Sequence, residues 1–337
     1  MKFAIVGAGA IGGYLGARLA LAGETCTFIA RGDNLKAIRD RGLKLILEDG
    51  SEQLARNVSA IEHPSEAGTH DFVLLAVKAH QVASIAPDLK LLCGEDTAIV
   101  TAQNGIPWWY FYRSGGPYEG RPVRRVDPDG TIASNVDSRR VIGCIVYPAA
   151  ELVGPGVVKV IEGNRFTVGE PDGSVTPRIE TLSEALVRAG FKAPIARDIR
   201  SEIWLKLWGS LSFNPISALT HATLAQICEF PGTRALAAAM MREAQVVAER
   251  LGVRIRIPLE KRIAGAQRVG EHKTSMLQDV EQGRSLELEA ILGAVLDLAQ
   301  MTDVPAPHSE AVYACASLLA KTLADRDGAL RVGPSGR

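Results

Sequence analysis

A glycine-rich turn near the N-terminus is the first segment whose residue types and spacing could bind a ligand. Glycines at this spacing let the backbone turn tightly and approach a pyrophosphate, and the N–H groups of the helix that follows point toward the phosphates. The turn comes directly after the apolar run Lys2–Val6 and comprises Gly7, Ala8, Gly9, Ala10, Ile11 and Gly12. Such a motif is a weak signal by itself, but its position between a strand-like run and a helical pattern favours a dinucleotide site.

Arg31 indicates which dinucleotide this site would bind. It ends the second apolar run, where a dinucleotide-binding fold places the residue that contacts the adenosine ribose. A carboxylate there would accept hydrogen bonds from a ribose 2′-OH, whereas a guanidinium suits a 2′-phosphate through bidentate, charge-assisted bonds. The sequence therefore predicts NADP(H) as the cofactor. The alternative is that Arg31 is a solvated loop arginine beside Gly32.

A second set of chemically suited residues lies in an apolar helical pattern of the C-terminal half. Lys206, Ser210 and Asn214 are spaced four residues apart, which places them on one face of a helix. Their neighbours are Trp204, Leu205, Leu207, Trp208, Leu211 and Phe213. A lysine, a hydroxyl and an amide aligned in this way could donate a proton and bind a polar substrate. The alternative is an exposed edge along which the Lys206 side chain extends to water.

Two further polar residues, Ser275 and Glu287, have both structural and catalytic interpretations. Ser275 and Gln278 have the spacing of a capping box that opens a helix. Glu287 is expected just inside the start of a helix over Ser285–Met301, where negative charge favours the helix dipole. A ketone reduction, however, needs a proton donor, a group that orients the donor and a hydroxyl for the substrate, so both residues also suit catalysis beside Lys206.

Lys78 and Asn104 each follow a buried-strand pattern in the N-terminal half. The carboxyl ends of strands in a doubly wound sheet face the ligand crevice, so both residues are candidates to contact the nicotinamide ribose or the substrate. The alternative is that they are polar loop residues, with Asn104-Gly105 as a turn signal. The six histidines show no metal-ligand spacing, and no metal site is expected.

The elements that would position these residues change in type near residue 195. Before it, strand-like and helix-like segments alternate, which predicts an α/β fold with a Rossmann-type, doubly wound parallel sheet. Helices are expected over Ile11–Ala22, Asn34–Arg39 and about Val175–Ala189. Strands are expected over Lys2–Val6, Thr25–Ala30, Leu43–Leu47, Asp71–Val77, Ala98–Ala102, Val141–Val146, Val157–Ile161 and Arg165–Val168.

After Ala196 strand signals nearly vanish, and helical periodicity predicts an all-α second domain. Its helices are expected over Ile199–Phe213, Thr233–Arg250, Ser275–Gln282, Ser285–Met301 and His308–Ala324. We therefore predict an NADP-binding domain over residues 1–195, an all-α substrate and catalytic domain over 196–325, and a flexible tail over 326–337. Enzymes of this design bind substrate between the domains, so both halves are expected to contribute to one site.

The charge balance, apolar runs and cysteines of the chain limit the classes of partner and compartment that are expected. The chain has 38 Lys plus Arg against 38 Asp plus Glu, so no net charge attracts it to nucleic acid or an anionic membrane. No segment reaches the ~18 uninterrupted apolar residues of a membrane helix, which excludes a spanning protein. The five scattered cysteines are typical of buried thiols in a reducing compartment. A soluble, cytoplasmic enzyme with a small-molecule substrate is therefore expected.

Taken together, these motifs resemble those of the ketopantoate reductases (2-dehydropantoate 2-reductases). They match in order over most of the chain, except about Pro107–Arg140 and the tail. The resemblance is carried by the glycine loop with Arg31, Val77-Lys78-Ala79, Asn104-Gly105, Lys206 through Asn214-Pro215, Ser275-Met276-Leu277-Gln278-Asp279 and Glu287. It implies NADPH-dependent reduction of the 2-oxo acid 2-dehydropantoate to pantoate, in pantothenate and coenzyme A synthesis, by a monomer or a homodimer.

The resemblance also implies roles for individual residues. Lys206 would be the general acid, and Glu287 would orient it or bind substrate. Asn214 and Ser275 would hold the hydroxyl and carboxylate of the substrate, together with Ser210. The residues that would lie where cofactor and substrate meet are Lys78 and Asn104.

Two departures from the family pattern leave alternatives open. The family usually has asparagine where this chain has Ser210, so one substrate contact is shortened or bridged by water. The segment Pro107–Arg140 is longer than usual and aromatic, so it is either a lid or subunit contact, or a loop anchored by burying its aromatic side chains. The alternative functions are an NADP-dependent dehydrogenase for another 2-oxo or 3-hydroxy acid, and a non-catalytic NADPH-sensing protein.

Overall fold

The computed structural model describes residues 1–326 and 328. The chain forms two compact units: the first comprises Met1–Glu202 and the second begins at Ile203, so the division falls within a helix. A compact unit is not the same as a domain that folds independently, and the predicted domain limits stay predictions. Apart from residues 326 and 328, the predicted flexible tail lies outside the described residues.

The first unit contains eleven strands in two sheets. In chain order they are β1 (Lys2–Val6), β2 (Thr25–Ile29), β3 (Leu43–Ile46), β4 (Glu52–Ala55), β5 (Val58–Ile61), β6 (His70–Leu75), β7 (Cys93–Thr101), β8 (Val141–Val146), β9 (Ala149–Gly154), β10 (Val157–Glu162) and β11 (Phe166–Gly169). The larger sheet has the order β11-β8-β7-β6-β1-β2-β5, and only β11 runs antiparallel to its neighbour. The smaller sheet has the order β4-β3-β10-β9.

The observed strands confirm the doubly wound α/β prediction, with differences at the edges. The predicted limits of β1 and β8 agree with the structure, and both strands are almost completely buried. The prediction missed β4, β5 and β9, which are largely half exposed or exposed and lack a continuous apolar run. It also started β7 too late, at Ala98, because the strand begins with the polar stretch Cys93–Thr97 before it enters the core.

Four helices accompany these sheets: α1 (Ala10–Leu21), α2 (Gly32–Arg41), α3 (Val82–Leu89) and α5 (Pro177–Arg188), with the short α4 (Thr131–Asn135) between β7 and β8. Helix α1 packs between the two sheets. A Cβ at Gly16 would overlap Ile5 and Phe28 of the larger sheet, and a Cβ at Gly13 would lie 2.8 Å from Val158 of the smaller one. These glycines allow close packing, which fixes the start of α1 against the ends of the strands.

The described part of the second unit contains helices and no strands, as predicted, although α7 and α9 were not among the predicted helices. Its helices are α6 (Ile199–Thr220, which begins in the first unit), α7 (Leu224–Glu229), α8 (Pro231–Arg250), α9 (Leu259–Val269), α10 (Ser275–Glu281), α11 (Ala294–Met301) and α12 (Pro307–Asp325). A π-helical turn over Glu289–Gly293 leads directly into α11. Among the residues described, no helix has the length and apolar composition needed to cross a membrane.

The aromatic segment after β7 is anchored within the first unit. Trp108, Trp109, Tyr110 and Phe111 are all at least 93 % buried, and the Trp109 indole N–H donates to Thr101 Oγ1 at 3.0 Å. The Arg200 guanidinium donates to the carbonyl oxygens of Tyr110 at 2.8 Å and Tyr112 at 2.7 Å. This packing favours the interpretation of the segment as a loop anchored by its aromatic side chains.

Candidate active site

The carboxyl ends of three neighbouring strands bring the predicted cofactor residues to one edge of the larger sheet. Leu75 at the end of β6 pairs with Val6 of β1 on one side and with Thr101 of β7 on the other. The glycine loop follows β1. Lys78 comes three residues after the end of β6, and Asn104 comes three residues after the end of β7. The expectation that Lys78 and Asn104 lie on the crevice side of the sheet therefore agrees with the strand register.

Two of the three motif glycines are required by the protein's own packing. Gly7 has a φ of +100°, and a Cβ there would lie 2.8 Å from Val77 Cγ1. A Cβ at Gly12 would overlap the carbonyl oxygen of Gly7 and lie 2.9 Å from Ala76 Cβ. These positions keep the loop tight against the end of β6.

Gly9 differs from Gly7 and Gly12 because no protein atom explains the absence of its side chain. Its φ of −73° is accessible to any residue, and a Cβ built there would meet no atom within 4 Å. Gly9 caps the N-terminus of α1, whose first N–H groups have no partners within the helix. Open space at this point fits the close approach of an anionic group such as a dinucleotide pyrophosphate.

Asn34, which the sequence analysis did not single out, supports the glycine loop. Its side-chain amide donates from Nδ2 to the carbonyl oxygen of Ala8 at 2.5 Å, and its Oδ1 accepts from the N–H of Gly156 at 2.7 Å. One short side chain thus connects the loop to the turn before β10. An asparagine in the first turn of a helix was the only sequence signal for this role.

Arg31 lies two residues after the end of β2, in the N-cap position of α2. Its backbone is extended, with φ −135° and ψ 161°, and its side chain is exposed. The end of β2 is adjacent to the glycine loop, since the N–H of Gly7 donates to the carbonyl oxygen of Ile29 at 3.1 Å. This placement suits contact with a ribose 2′-phosphate, and the role itself stays a prediction.

Gln103, which the sequence motifs also did not mark as a site residue, connects the loops that carry Lys78 and Asn104. Its Nε2 donates to the carbonyl oxygens of Leu75 at 2.7 Å and Val77 at 3.3 Å. It thereby joins the end of β6 to the segment after β7, in which Gly105 has the φ of +90° expected of a turn. Lys78 and Asn104 are both half-buried.

The polar stripe predicted on α6 is present. Lys206, Ser210 and Asn214 are partly exposed, whereas nearly all intervening residues are buried. The Ser210 hydroxyl donates to the carbonyl oxygen of Lys206, one turn earlier, at 3.3 Å. This bond holds the short Ser210 side chain against its own helix.

The predicted capping box at Ser275 is wrong. The N-cap of α10 is Thr274, whose Oγ1 accepts from the N–H of Leu277 at 3.2 Å, and Ser275 is the first helical residue. The threonine hydroxyl satisfies the helix terminus, so Ser275 is not required for that purpose. Instead, Asn214 Nδ2 lies 3.5 Å from Ser275 Oγ and donates to it, which brings together two predicted substrate residues from different helices.

Glu287 lies just before its helix, not inside it, and the predicted helix over Ser285–Met301 begins too early. Helical structure starts at Leu288, and the carbonyl oxygen of Glu287 accepts from the N–H of Ile291 at 3.3 Å. The delay has a local cause, because Arg284 donates to the carbonyl oxygen of Asp279 at 2.8 Å and to its carboxylate at 3.0 Å. These bonds hold the preceding segment against α10 in a non-helical conformation.

Among the described residues, no cluster of three or more His, Cys, Asp or Glu side chains could hold a metal ion. Cys26, Cys144 and Cys228 are buried, in keeping with the prediction for most of the thiols, whereas Cys315 is exposed. Burial raises the pKa of Cys26 to about 12, which keeps this thiol protonated and unreactive at neutral pH.

Comparison with known proteins places this chain in a family. The model for "Ketopantoate reductase PanE/ApbA" matches residues 3–173, and that for "Ketopantoate reductase PanE/ApbA C terminal" matches residues 198–320. A curated 2-dehydropantoate 2-reductase of Mesorhizobium japonicum is 52 % identical over 95 % of this chain and 98 % of its own length.

Solved structures agree with these matches. A protein of Ralstonia solanacearum MolK2, assigned as a ketopantoate reductase, has a TM-score of 0.91 at 39 % identity, covering 95 % of this chain and 98 % of its own. The 2-dehydropantoate 2-reductase of Geobacter metallireducens GS-15 has a TM-score of 0.82 at 27 % identity, covering 94 % of this chain and 99 % of its own. With motifs, fold and near-complete coverage in agreement, the chain belongs to the ketopantoate reductase family.

Proposed function

We propose that this protein reduces 2-dehydropantoate to pantoate with NADPH, as a cytoplasmic step of pantothenate and coenzyme A synthesis. Membership of the family supports the reaction and the cofactor. The single observation that carries the proposal is the contact between Asn214 and Ser275, because it joins the polar stripe of Lys206 to a second helix. A polar substrate could be held there between an amide, a hydroxyl and an ammonium group.

The residues of the helical unit have distinct proposed tasks. Bound NADPH supplies a hydride to the carbonyl carbon of the 2-oxo acid. Lys206 stabilises the negative charge that develops on the carbonyl oxygen and donates the proton, which completes the hydroxyl group of the product. Asn214 and Ser275 bind the polar groups of the substrate, and Glu287 orients Lys206 or binds the substrate. General acid catalysis of this kind contributes roughly 10²–10⁴-fold.

The N-terminal unit has the proposed task of binding the cofactor. The open space beside Gly9 and the N-terminus of α1 would receive the pyrophosphate, and Arg31 the 2′-phosphate. Lys78 and Asn104 would contact the nicotinamide ribose or the substrate. A small-molecule substrate with no nucleic-acid or membrane partner fits the balanced charge of the chain.

Ser210 favours a second candidate, an NADP-dependent dehydrogenase for another 2-oxo acid. Its hydroxyl is held against α6, so this side chain extends less far toward a substrate than the asparagine usual in the family would. A substrate without the hydroxymethyl group of 2-dehydropantoate would not need that contact.

A panel of substrates tests the proposal. Purified protein is assayed with NADPH against 2-dehydropantoate, 3-methyl-2-oxobutanoate, pyruvate and phenylglyoxylate, and in reverse with NADP⁺ and 3-hydroxy acids. The proposal predicts the highest kcat/KM for 2-dehydropantoate. Faster reduction of another acid would support the second candidate, and NADPH binding without turnover would support a sensing protein. A homodimer stays a prediction, which light scattering of the purified protein would check.

A further inference from the structure

We propose that Arg262 determines specificity for an acid by binding the substrate's carboxylate, and that Gly209 is the position that admits it. Arg262 lies on α9 and Gly209 lies in the middle of α6, three residues after Lys206. The inference rests on the proposed function, because it requires a 2-oxo acid substrate.

The first observation is the contact between the guanidinium and the helix backbone. A Cβ at Gly209 would lie 2.9 Å from Arg262 Cζ and 3.3 Å from its Nε, and closer still to Nη2. Any side chain at this position would therefore displace the guanidinium. Glycine is unfavourable in a helix interior. Gly209 follows the buried Trp208 within α6, and neither a turn nor a positive φ explains why glycine stands there. The crossing of Arg262 supplies the explanation.

The second observation is where this contact lies on α6. Residues three and four apart are neighbours on a helix, so Gly209 borders Lys206 on the same face and is followed directly by Ser210. The guanidinium thus lies beside the stripe of proposed substrate residues. The Ser210 hydroxyl donates to the carbonyl oxygen of Lys206, and the Arg262 guanidinium is a second donor group next to the stripe.

Helix α9 holds Arg262 in this position. The next residue, Ile263, is fully buried and Ala266 is 97 % buried, so the helix is fixed through one face. Arg262 itself is half-buried, whereas Arg268 on the same helix is exposed. A half-buried side chain loses less conformational freedom on binding than an exposed one, which favours specific recognition.

Charge supplies the third argument. A 2-oxo acid is an anion, and the only cation among the proposed substrate residues of the helical unit is Lys206, which is assigned to the carbonyl oxygen. Asn214, Ser275 and Ser210, to which the family resemblance assigns the substrate's hydroxyl and carboxylate, are neutral, and Glu287 is acidic. A guanidinium presents two parallel N–H donors that match a carboxylate, a geometry that an amide or hydroxyl cannot provide.

The test compares charged and neutral substrates. Wild type, Arg262→Gln and the matched control Arg268→Gln are assayed with NADPH on the best 2-oxo acid and on its methyl ester. We expect Arg262→Gln to raise KM for the acid about 10- to 100-fold, the range for a lost hydrogen bond to a charged group. KM for the ester and Kd for NADPH should change little, and Arg268→Gln should behave as wild type.

Two further variants keep the test decisive. Arg262→Lys retains the positive charge but not the two parallel N–H donors, so it should raise KM for the acid less than Arg262→Gln does. Gly209→Val should displace the guanidinium and raise KM for the acid more than for the ester. An unchanged acid-to-ester ratio of kcat/KM in Arg262→Gln, including equal losses on both substrates, would overturn the inference alone. Failure of the wild-type protein to reduce any 2-oxo acid would instead overturn the proposed function on which it rests.

Discussion

Asn214 Nδ2 lies 3.5 Å from Ser275 Oγ, although the two residues are 61 positions apart in the chain. Asn214 belongs to the partly exposed stripe of α6, and Ser275 is the first residue of α10. Thr274 caps α10, so the serine hydroxyl is not needed as a cap at the helix terminus. The contact therefore joins two groups suited to binding a polar substrate.

We expect Asn214→Ala and Ser275→Ala each to lower kcat/KM for the 2-oxo acid about tenfold, because each removes a hydrogen bond worth roughly 1–1.5 kcal/mol. If both side chains bind the same substrate, the double variant should lose less than the product of the single losses, with a coupling of at least about 0.5 kcal/mol. Steady-state kinetics of the four proteins measures this. The control Thr274→Ala should lower the free energy of unfolding by about 1 kcal/mol through loss of the cap. Unchanged kinetics in both single variants would exclude the pair from substrate binding.

Gly9→Ala should separate cofactor binding from stability. No protein atom occupies the space of a Cβ at Gly9, and its φ of −73° suits alanine. Tm should change little, because the lower entropy of the unfolded chain offsets alanine's poorer fit at an N-cap. The added methyl group would obstruct the pyrophosphate, and we expect Kd for NADPH to rise at least about tenfold, or ~1.4 kcal/mol. Gly12→Ala is the contrasting variant, because its Cβ would overlap Gly7 and lower Tm. Normal NADPH affinity in Gly9→Ala would place the phosphates elsewhere.

Arg31→Ala should reduce discrimination between NADPH and NADH. A lost charge-assisted contact with the 2′-phosphate costs about 1.5–3 kcal/mol, so NADPH affinity should fall roughly 10- to 150-fold while NADH affinity changes little. Titration of both cofactors by fluorescence measures the ratio. Lys36→Ala is the control, since Lys36 is an exposed cation on the same helix. A ratio equal to that of wild type would mean that Arg31 is a solvated loop residue.

Glu243 should make stability depend on pH in the acid range. Burial alone would raise its pKa, but hydrogen bonds from Ser309 and His308 outweigh burial and hold the pKa below the usual 4.5. The carboxylate accepts the N–H groups of His308 and Ser309, both at 2.9 Å, at the start of α12. A lowered pKa in the folded state contributes stability that is fully present above about pH 4.5 and is lost as pH falls through the folded-state pKa.

Glu243→Ala should therefore lower the free energy of unfolding by about 1–3 kcal/mol at pH 7, with a smaller difference from wild type below pH 4. Urea unfolding of both proteins across this range measures the difference. The same difference at pH 7 and pH 3.5 would show that the ionised carboxylate is not the stabilising form.

Local sequence patterns predicted many of the helices and strands and the motif residues, but they did not predict contacts between segments that are distant in the chain. Buried strands such as β1 and β8 are continuous apolar runs and have clear limits, but the half-exposed β4, β5 and β9 do not. The Ser275 capping box failed because two adjacent hydroxyl residues, Thr274 and Ser275, can each cap a helix, and only packing decides between them.

The same limit applies around the site. Asn34 and Gln103 support the cofactor loops by accepting or donating to backbone groups far away in the chain, a role that one residue's type cannot reveal. The crossing of Arg262 over Gly209 joins two helices that no motif connects. The polar spacing of Lys206, Ser210 and Asn214, in contrast, follows from helical periodicity alone and was predictable.

Replacement of Lys206 tests the central claim most directly. Single-turnover reduction of the 2-oxo acid is followed by loss of NADPH absorbance in wild type, Lys206→Ala and Lys206→Met, the last of which keeps the apolar stem. The control is Lys261→Ala, an exposed lysine on α9. We predict a loss of about 10²–10⁴-fold in the rate of both Lys206 variants, with Kd for NADPH close to wild type. Near-normal reduction in these variants would contradict the assignment of Lys206 as the proton donor.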